Sequence, residues 1–366
     1  MKKILNLIIL FGIVASSCSN EDLLQKEELS VVKQRQGGMF DYIEAISIGN
    51  RTDCENNILV FPSWEKYKET IEMLEKMKED YCDSFEAGLP RDVTEEEYDV
   101  LADAVGFDED DILLQFENDL RFCSLRKKIE VLETAWLELQ GDGEWNADED
   151  PDNHFIDDTI ERTLLSENAE VIIKDEEGKY VYYKLLDDDG SRVEIHDDME
   201  AVEKMINGID VSDNPNVFLK NNVYKYVDGP CRGNVTNIAY YYGPNGTRIK
   251  QVDKVRKQDD WGGESKIKAK TKGYRWIRKK WRNRKTTIVA GINAYNINSS
   301  GYITKYCWTS KDIFRRVQKY RKEVVVKYHL PKSQGASIEV QNNSAYGFHS
   351  QSGALYINLD FYDNQP

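Results

Sequence analysis

The sequence runs to 366 residues, with 49 basic against 65 acidic side chains, a formal net charge of -16, 40% hydrophobic and 11% aromatic residues. Enough apolar surface is present to exclude a disordered chain, and so acidic a balance disfavours nucleic acid as a partner. The length exceeds what one core usually holds, so two or three domains are expected.

Residues 1–18 read MKKILNLIILFGIVASSC. Lys2 and Lys3 precede an apolar run from Ile4 to Val14, which falls short of the roughly 20 residues of a spanning helix. That is the build of a cleaved secretory signal. Ala15, Ser16 and Ser17 then lead into Cys18. The segment resembles the lipobox of bacterial lipoproteins, with Ala15 where that pattern usually has Leu and Ser17 where it has Gly or Ala. The resemblance implies lipidation of Cys18. Several acyl chains, at about 0.8 kcal/mol per buried CH2, hold a protein to its membrane permanently. Ser19-Asn20-Glu21-Asp22 resembles the acidic export tag of Bacteroidota lipoproteins. It implies an outer-membrane lipoprotein on the cell surface, with the periplasmic face as the alternative. No later run is long and apolar enough to span a bilayer, so a soluble body is expected.

Beyond Cys18 the cysteines are Cys54, Cys82, Cys123, Cys231 and Cys307. Five is an odd number and none forms a C-x-x-C pair, so neither a metal site nor a cofactor is expected. Buried free thiols are the favoured reading. Export permits disulfides, and Cys82 with Cys123 is the first pair to test, because both fall in predicted helices.

Residues 18–52 are polar and lack a sustained period, as expected of a tether. A helical module is expected over 53–166. Trp64, Tyr67, Ile71, Leu74, Tyr81 and Phe85 recur at helical spacing after a Ser63 cap, and Thr94 to Glu97 is a capping-box pattern whose helix Gly106 ends. A third helix is expected from Asp110 to Leu139. The acidic loop from Gly141 to Asn153 places Asp148, Asp150 and Asp152 at alternate positions, but Asn153 and Thr159 stand where a calcium loop needs glycine and glutamate. Solvated turn acids are the better reading.

From Ala169 the hydrophobic period becomes two. Residues 167–216 read as a small β-meander joined by DEEG and DDDG turns, with a brief helix over Met199 to Ile206. Residues 217–366 read as an antiparallel β domain, a sandwich or open barrel. Its hairpins are expected to turn at Gly243–Gly246 and Asn298–Gly301, with EVVVKYHL and ALYINLDFYD as further strands. The fold class is therefore α+β. The ILVFPSWEKY motif and DDTIERTLLSENAEV, with the strands that follow, resemble uncharacterised Bacteroidota surface lipoproteins of unknown domain function. That resemblance implies a helical N-terminal part, a β-rich C-terminal part and a cell-surface location, and no activity.

Catalytic motifs are missing. There is no H-E-x-x-H, G-x-S-x-G, Walker loop or G-x-G-x-x-G. Among His154, His196, His329 and His349, the last lies beside Ser350 and Ser352 and reads as an ordinary loop histidine. An enzyme is not favoured, although a pair of glycosidase carboxylates needs no sequence motif.

The conspicuous stretch is Lys266–Lys285, KIKAKTKGYRWIRKKWRNRK, with eleven cations and no acid. Lys266, Lys268, Lys270 and Lys272 alternate with small or apolar residues, which predicts a strand with one ammonium-covered face. A turn is expected near Lys279 to Asn283. Cations interleaved with aromatic rings suit a polyanion, and Lys270, Arg275, Trp276, Lys279, Lys280, Trp281 and Arg282 are the candidate residues. Two structural readings compete. The lysines coat an exposed edge strand, or the basic face pairs with the acidic loops of residues 141–158 or 187–198.

The functional expectation is a membrane-anchored binding or interaction module whose partner is an acidic glycan, lipopolysaccharide or another surface protein. The alternatives are a glycan-active hydrolase and a structural or assembly protein of a cell-surface complex.

Overall fold

In the computed structural model the described residues are 38–48, 54, 57–186, 191–220, 231–232, 235–243, 246–256, 265–294, 313–330, 340–341, 345–351 and 357–360. Cys18, Cys307, the DDDG turn and the Asn298–Gly301 turn lie outside them.

The first sheet takes strands from both sides of the helices. Its members are β1 (Glu44–Ser47), β2 (Asn57–Phe61), β3 (Glu170–Lys174), β4 (Tyr180–Leu185), β5 (Arg192–His196) and β6 (Val217–Lys220), in that order. Strand β1 lies inside the stretch expected to be tether. β2 and β3 run parallel, with Val60 opposite Ile172, and the other pairs are antiparallel. A parallel pair needs a long crossover. It is supplied by α1 (Trp64–Ala87), α2 (Glu95–Val105), α3 (Asp111–Asp119), α4 (Leu125–Leu139) and α5 (Thr159–Thr163), while α6 (Met199–Ile206) joins β5 to β6. NILVF and EVIIK carry no polar alternation because both faces are covered. Leu59, Phe61, Val171 and Ile173 meet Tyr67, Leu74, Leu113 and Phe116 on one side, and Ile58, Val60 and Ile172 meet Ala201 and Val202 on the other.

Ser63 caps α1, and Thr94 with Glu97 forms the capping box of α2, which ends at Gly106 with φ 69°. The third expected helix is instead two. Arg121 adopts φ 49°, and Ser124 caps α4 by accepting from Lys127 N. The break turns Leu125 N onto Leu165 O at 2.9 Å and lets Glu117 bind both Ser124 and Arg126. It also carries Cys123 to Cys54. The disulfide joins these two residues, with Cα atoms 5.0 Å apart. This corrects the Cys82–Cys123 pairing, and for Cys54 and Cys123 it also corrects the free-thiol reading. Cys82 is a buried free thiol.

The C-terminal strands are β7 (Cys231–Arg232), β8 (Val235–Tyr242), β9 (Thr247–Arg256), β10 (Ser265–Ile277), β11 (Lys280–Asn283), β12 (Thr286–Ala294), β13 (Ile313–Arg321), β14 (Glu323–Leu330), β15 (Val340–Gln341), β16 (Ala345–Gln351) and β17 (Ile357–Asp360). One sheet has the order β11-β10-β9-β8, with β14 also paired to β10; another has the order β13-β12-β16-β17; β7 pairs with β15. The two larger sheets pack face to face around Ile249, Val255, Ile267, Ala269, Ile288, Ile292, Val324 and Val326. Neither closes into a barrel.

The described residues all fall within one compact unit, and charge joins its parts. Along α1, Glu75 pairs with Lys327, Glu79 with Lys319, and Asp83 and Glu86 with Arg321. Asp108 and Asp110 hold Lys322. The acids of the helical half therefore sit on the cations of the β half.

Candidate binding surface at the β10–β11 hairpin

The period-two reading of KIKAKTK holds, and β10 continues to Ile277. Ile267, Ala269 and Thr271 point into the sandwich, while Lys268, Lys270 and Lys272 share the opposite face. That face is not exposed: Lys268 and Lys270 are 1% and 0% accessible. The chain from Asp150 to Thr159 lies across it as an acidic strap. Lys250 donates to Asp150 at 2.8 Å and Asp152 at 2.9 Å. Lys270 sits 3.5 Å from Asp152 and 3.4 Å from Glu323, Lys272 binds Glu133 at 2.6 Å, and Lys268 lies 2.5 Å from Asp157. Asp150 and Asp152 are thus buried and paired, a correction to the solvated reading of that loop, whereas Asp148 is exposed as expected; Asp157, beyond the loop, is buried and paired as well. Among the described residues no group of acids, histidines or cysteines could hold a metal ion.

Burial by itself pushes the Asp152 carboxyl up, but the ammonium groups of Lys250, Lys270 and Lys272 with the Arg162 guanidinium outweigh it and hold the carboxyl well below its usual range. Asp157 is likewise held down against burial by Lys254, Lys268 and Lys270. Burying a charge is tolerated only when such partners surround it.

Beyond Gly273, Tyr274 and Trp281 enter a second cluster. Trp281 is 2% exposed, packs with Trp136, Trp145 and Tyr274, and donates its indole N–H to Gly141 O at 3.0 Å. Arg248 lies 4.6 Å from the Trp145 ring, 4.2 Å from Tyr242 and 4.3 Å from Trp281. The chain's own guanidinium fills this aromatic cage.

The surface that remains is the end of the β10–β11 hairpin. Ile277 pairs with Lys280, so the turn is Arg278-Lys279; of the turn expected near Lys279 to Asn283, Lys280–Asn283 instead form strand β11. Arg278 and Lys279 both have positive φ, 49° and 64°. A two-residue turn of this kind matches the twist of the strands and normally takes Asn-Gly. Using two long cations there costs roughly 1–2 kcal/mol each. Gly246, at φ 69°, lies against Trp276, whose backbone N–H donates to Gly246 O at 2.8 Å.

Of the candidate residues, then, Lys270 and Trp281 are internal. Arg275 pairs with Asp99 at 3.2 Å, and Lys280 and Arg282 pair with Glu138 at 2.8 and 2.7 Å. Trp276 is 38% and Tyr242 40% exposed. Arg278, Lys279 and Arg284 are exposed and have no ion-pair partner among the described residues.

His349, expected in a loop, lies on β16 and is fully buried. Its Nδ1 is 2.8 Å from Thr271 Oγ1 and its Nε2 3.3 Å from Asp253 Oδ1. The order of groups is that of a nucleophile, base and orienting acid. The Thr271 hydroxyl, however, is also buried between the sheets and donates to Val289 O at 2.8 Å. The arrangement ties β9, β10, β12 and β16 together and offers no substrate access.

No family model matches the sequence, and no curated protein matches it. The chain is similar to a DUF4848 family protein, a domain of unknown function, from Bacteroides thetaiotaomicron, whose crystal structure aligns with 86% of this chain and 100% of its own at 11% identity and a TM-score of 0.19. A likeness at that score carries no argument about this chain.

Proposed function

We propose that the protein is an outer-membrane lipoprotein, anchored through Cys18 and displayed at the cell surface, that binds an anionic glycan at the β10–β11 hairpin. The observation that carries the reading is the set of exposed cations Arg278 and Lys279 at the hairpin tip and Arg284 just past β11, without ion-pair partners among the described residues, on the hairpin that carries the half-open ring of Trp276. Cations meet carboxylate or sulfate, and a flat ring meets the C–H face of a sugar. The strained turn supports it as well, because backbone strain persists where something other than stability keeps it. Export is supported by the Cys54–Cys123 disulfide, a bond that belongs to oxidising compartments.

The test is retention of the full chain on heparin and on an uncharged matrix. Arg278→Ser with Lys279→Ser and Arg284→Ser should elute at clearly lower salt than wild type, and Trp276→Ala should weaken binding without changing the salt slope. Unchanged elution of the triple variant sinks the proposal. Lys270→Ser is unsuitable as a probe, since it would disrupt the buried strap. The hydrolase alternative is not favoured. Asp152 and Asp157 line one cleft, but both are held ionised, so neither has a proton to give a leaving group.

A further inference from the structure

Among the described residues, β13 is the terminal strand of its sheet, whose order is β13-β12-β16-β17. A terminal strand presents one row of its backbone groups as a template for a further strand. Which groups these are follows from β12. Thr287 N–H turns away from its β13 partner Tyr320 and donates to the Glu95 carboxylate at 3.3 Å. In an antiparallel pair the bonded positions alternate, so Val317 and Lys319 bond to β12, whereas Phe314, Arg316 and Gln318 direct their N–H and C=O groups to the open side.

The two ends of the strand differ. At the C-terminal end α1 lays carboxylates on it: Glu79 pairs with Lys319, and Asp83 and Glu86 with Arg321. Toward the N-terminal end Phe314, Arg315, Arg316 and Gln318 are exposed. Arg315 donates to Lys327 O at 3.1 Å and lies over the Tyr328 ring, and it has no ion-pair partner among the described residues. Cations alone would guard an edge against stray pairing, but Phe314 does the opposite. Its ring is 69% exposed and stacks on Phe348 with centroids 5.7 Å apart, so an apolar surface is held open beside unpaired backbone.

We propose that the open half of β13, Phe314 to Gln318, is a docking edge for an acidic, extended segment of a partner protein, which adds as a further strand. The half that α1 covers shows the chemistry this edge takes, since carboxylates already sit on its cations. On the open half, backbone bonds to Phe314, Arg316 and Gln318 fix the register, acids opposite Arg315 and Arg316 complement the charge, and an apolar side chain meets Phe314. The edge belongs to a different sheet from the β10–β11 hairpin, and its occupant is a protein rather than a glycan.

The experiment is fluorescence anisotropy of the full chain with the labelled peptide TVEEFTV and its counterpart TVKKFTV. The acidic peptide should bind, and the basic one at least about tenfold more weakly. Gln318→Pro deletes one outward backbone donor at an edge position that tolerates proline, and should weaken binding by at least about tenfold. Gln318→Ala keeps that donor and should bind as wild type; both variants lose the Arg316–Gln318 contact, so their difference reads the backbone alone. Should the proline variant melt lower than wild type, Arg315→Ser with Arg316→Ser, at exposed positions, decides in its place and should weaken binding to the same degree. Arg278→Ser with Lys279→Ser should leave it unchanged, which separates this edge from the hairpin. No binding of the acidic peptide, equal binding of the basic one, or wild-type binding by a folded Gln318→Pro or by the double arginine variant overturns the proposal.

Discussion

Replacing Asp152 by Asn removes one charge from the centre of the strap while keeping the side chain's shape. The carboxylate is 1% exposed and lies 2.5 Å from Arg162, 2.9 Å from Lys250 and 3.5 Å from Lys270 and Lys272. Four cations lose a partner, but the losses are unequal. Lys250 keeps Asp150, Lys270 keeps Glu323 and Lys272 keeps Glu133, whereas Arg162 loses the carboxylate it touches. The cost is therefore close to that of one stranded buried cation, about 3–5 kcal/mol, rather than a multiple of it. For a cooperative unit of this size, at about 2 °C per kcal/mol, the melting temperature should fall by about 6–10 °C. Scanning calorimetry on the full chain reads it directly. Lys280→Ser is the control: it breaks a pair whose side chains are 46% and 35% exposed, and such pairs contribute at most about 1 kcal/mol. If Asp152→Asn melts no lower than Lys280→Ser, the strap does not hold the two halves together and the reasoning fails.

Acid should weaken the protein in a defined window. Asp152, Asp157 and Asp158 are all held below their usual value by neighbouring cations. Their contribution is fully present above the unfolded aspartate value near 3.8 and is lost as pH falls below it, so urea midpoints should decline only under about pH 4. Glu109 works the other way. Burial, opposed by Lys78, leaves its carboxyl raised to about 6. Its contribution is present below about 4.5 and lost as pH rises through 6, so Glu109→Gln should exceed wild type by about 2 kcal/mol at pH 7 and match it near pH 4. Cys54→Ser opens a loop with a sequence separation of 69 and should cost about 4 kcal/mol on the chain-entropy estimate. Cys82, its thiol pushed up to about 11 by burial, should resist thiol reagents until the chain unfolds, and rapid labelling in native buffer would contradict its placement.

Local signals carried far in this chain. The period of two in KIKAKTK, the Ser63 cap, the capping box at Thr94, Gly106, the pairing of β8 with β9 and the α+β class were all legible, because each depends on neighbours a few residues away. The break at Arg121 was not legible, since the apolar stripe runs on through it; the reason to bend lies in Cys54 and Leu165. The strap was only half visible. Acidic loops and a basic strand were each plain, and the excess of acids before β6 and of cations after it was the signal that joined them. Which acid meets which lysine was not written in either segment.

Alternation along β10, then, is a property of the chain: side chains on a strand point to opposite faces, so its lysines had to share one. Whether that face met solvent, a ligand or another part of the molecule depended on the crossover between β2 and β3, which returns the acidic strap across it. Only that long-range packing could decide that Lys270 and Trp281 belong to the interior, because the burial of a charge is settled by partners about a hundred residues away rather than by its own sequence. On the same hairpin Glu138 reaches Lys280 and Arg282, while among the described residues no acid pairs with Arg278 or Lys279, and the tip stayed outside.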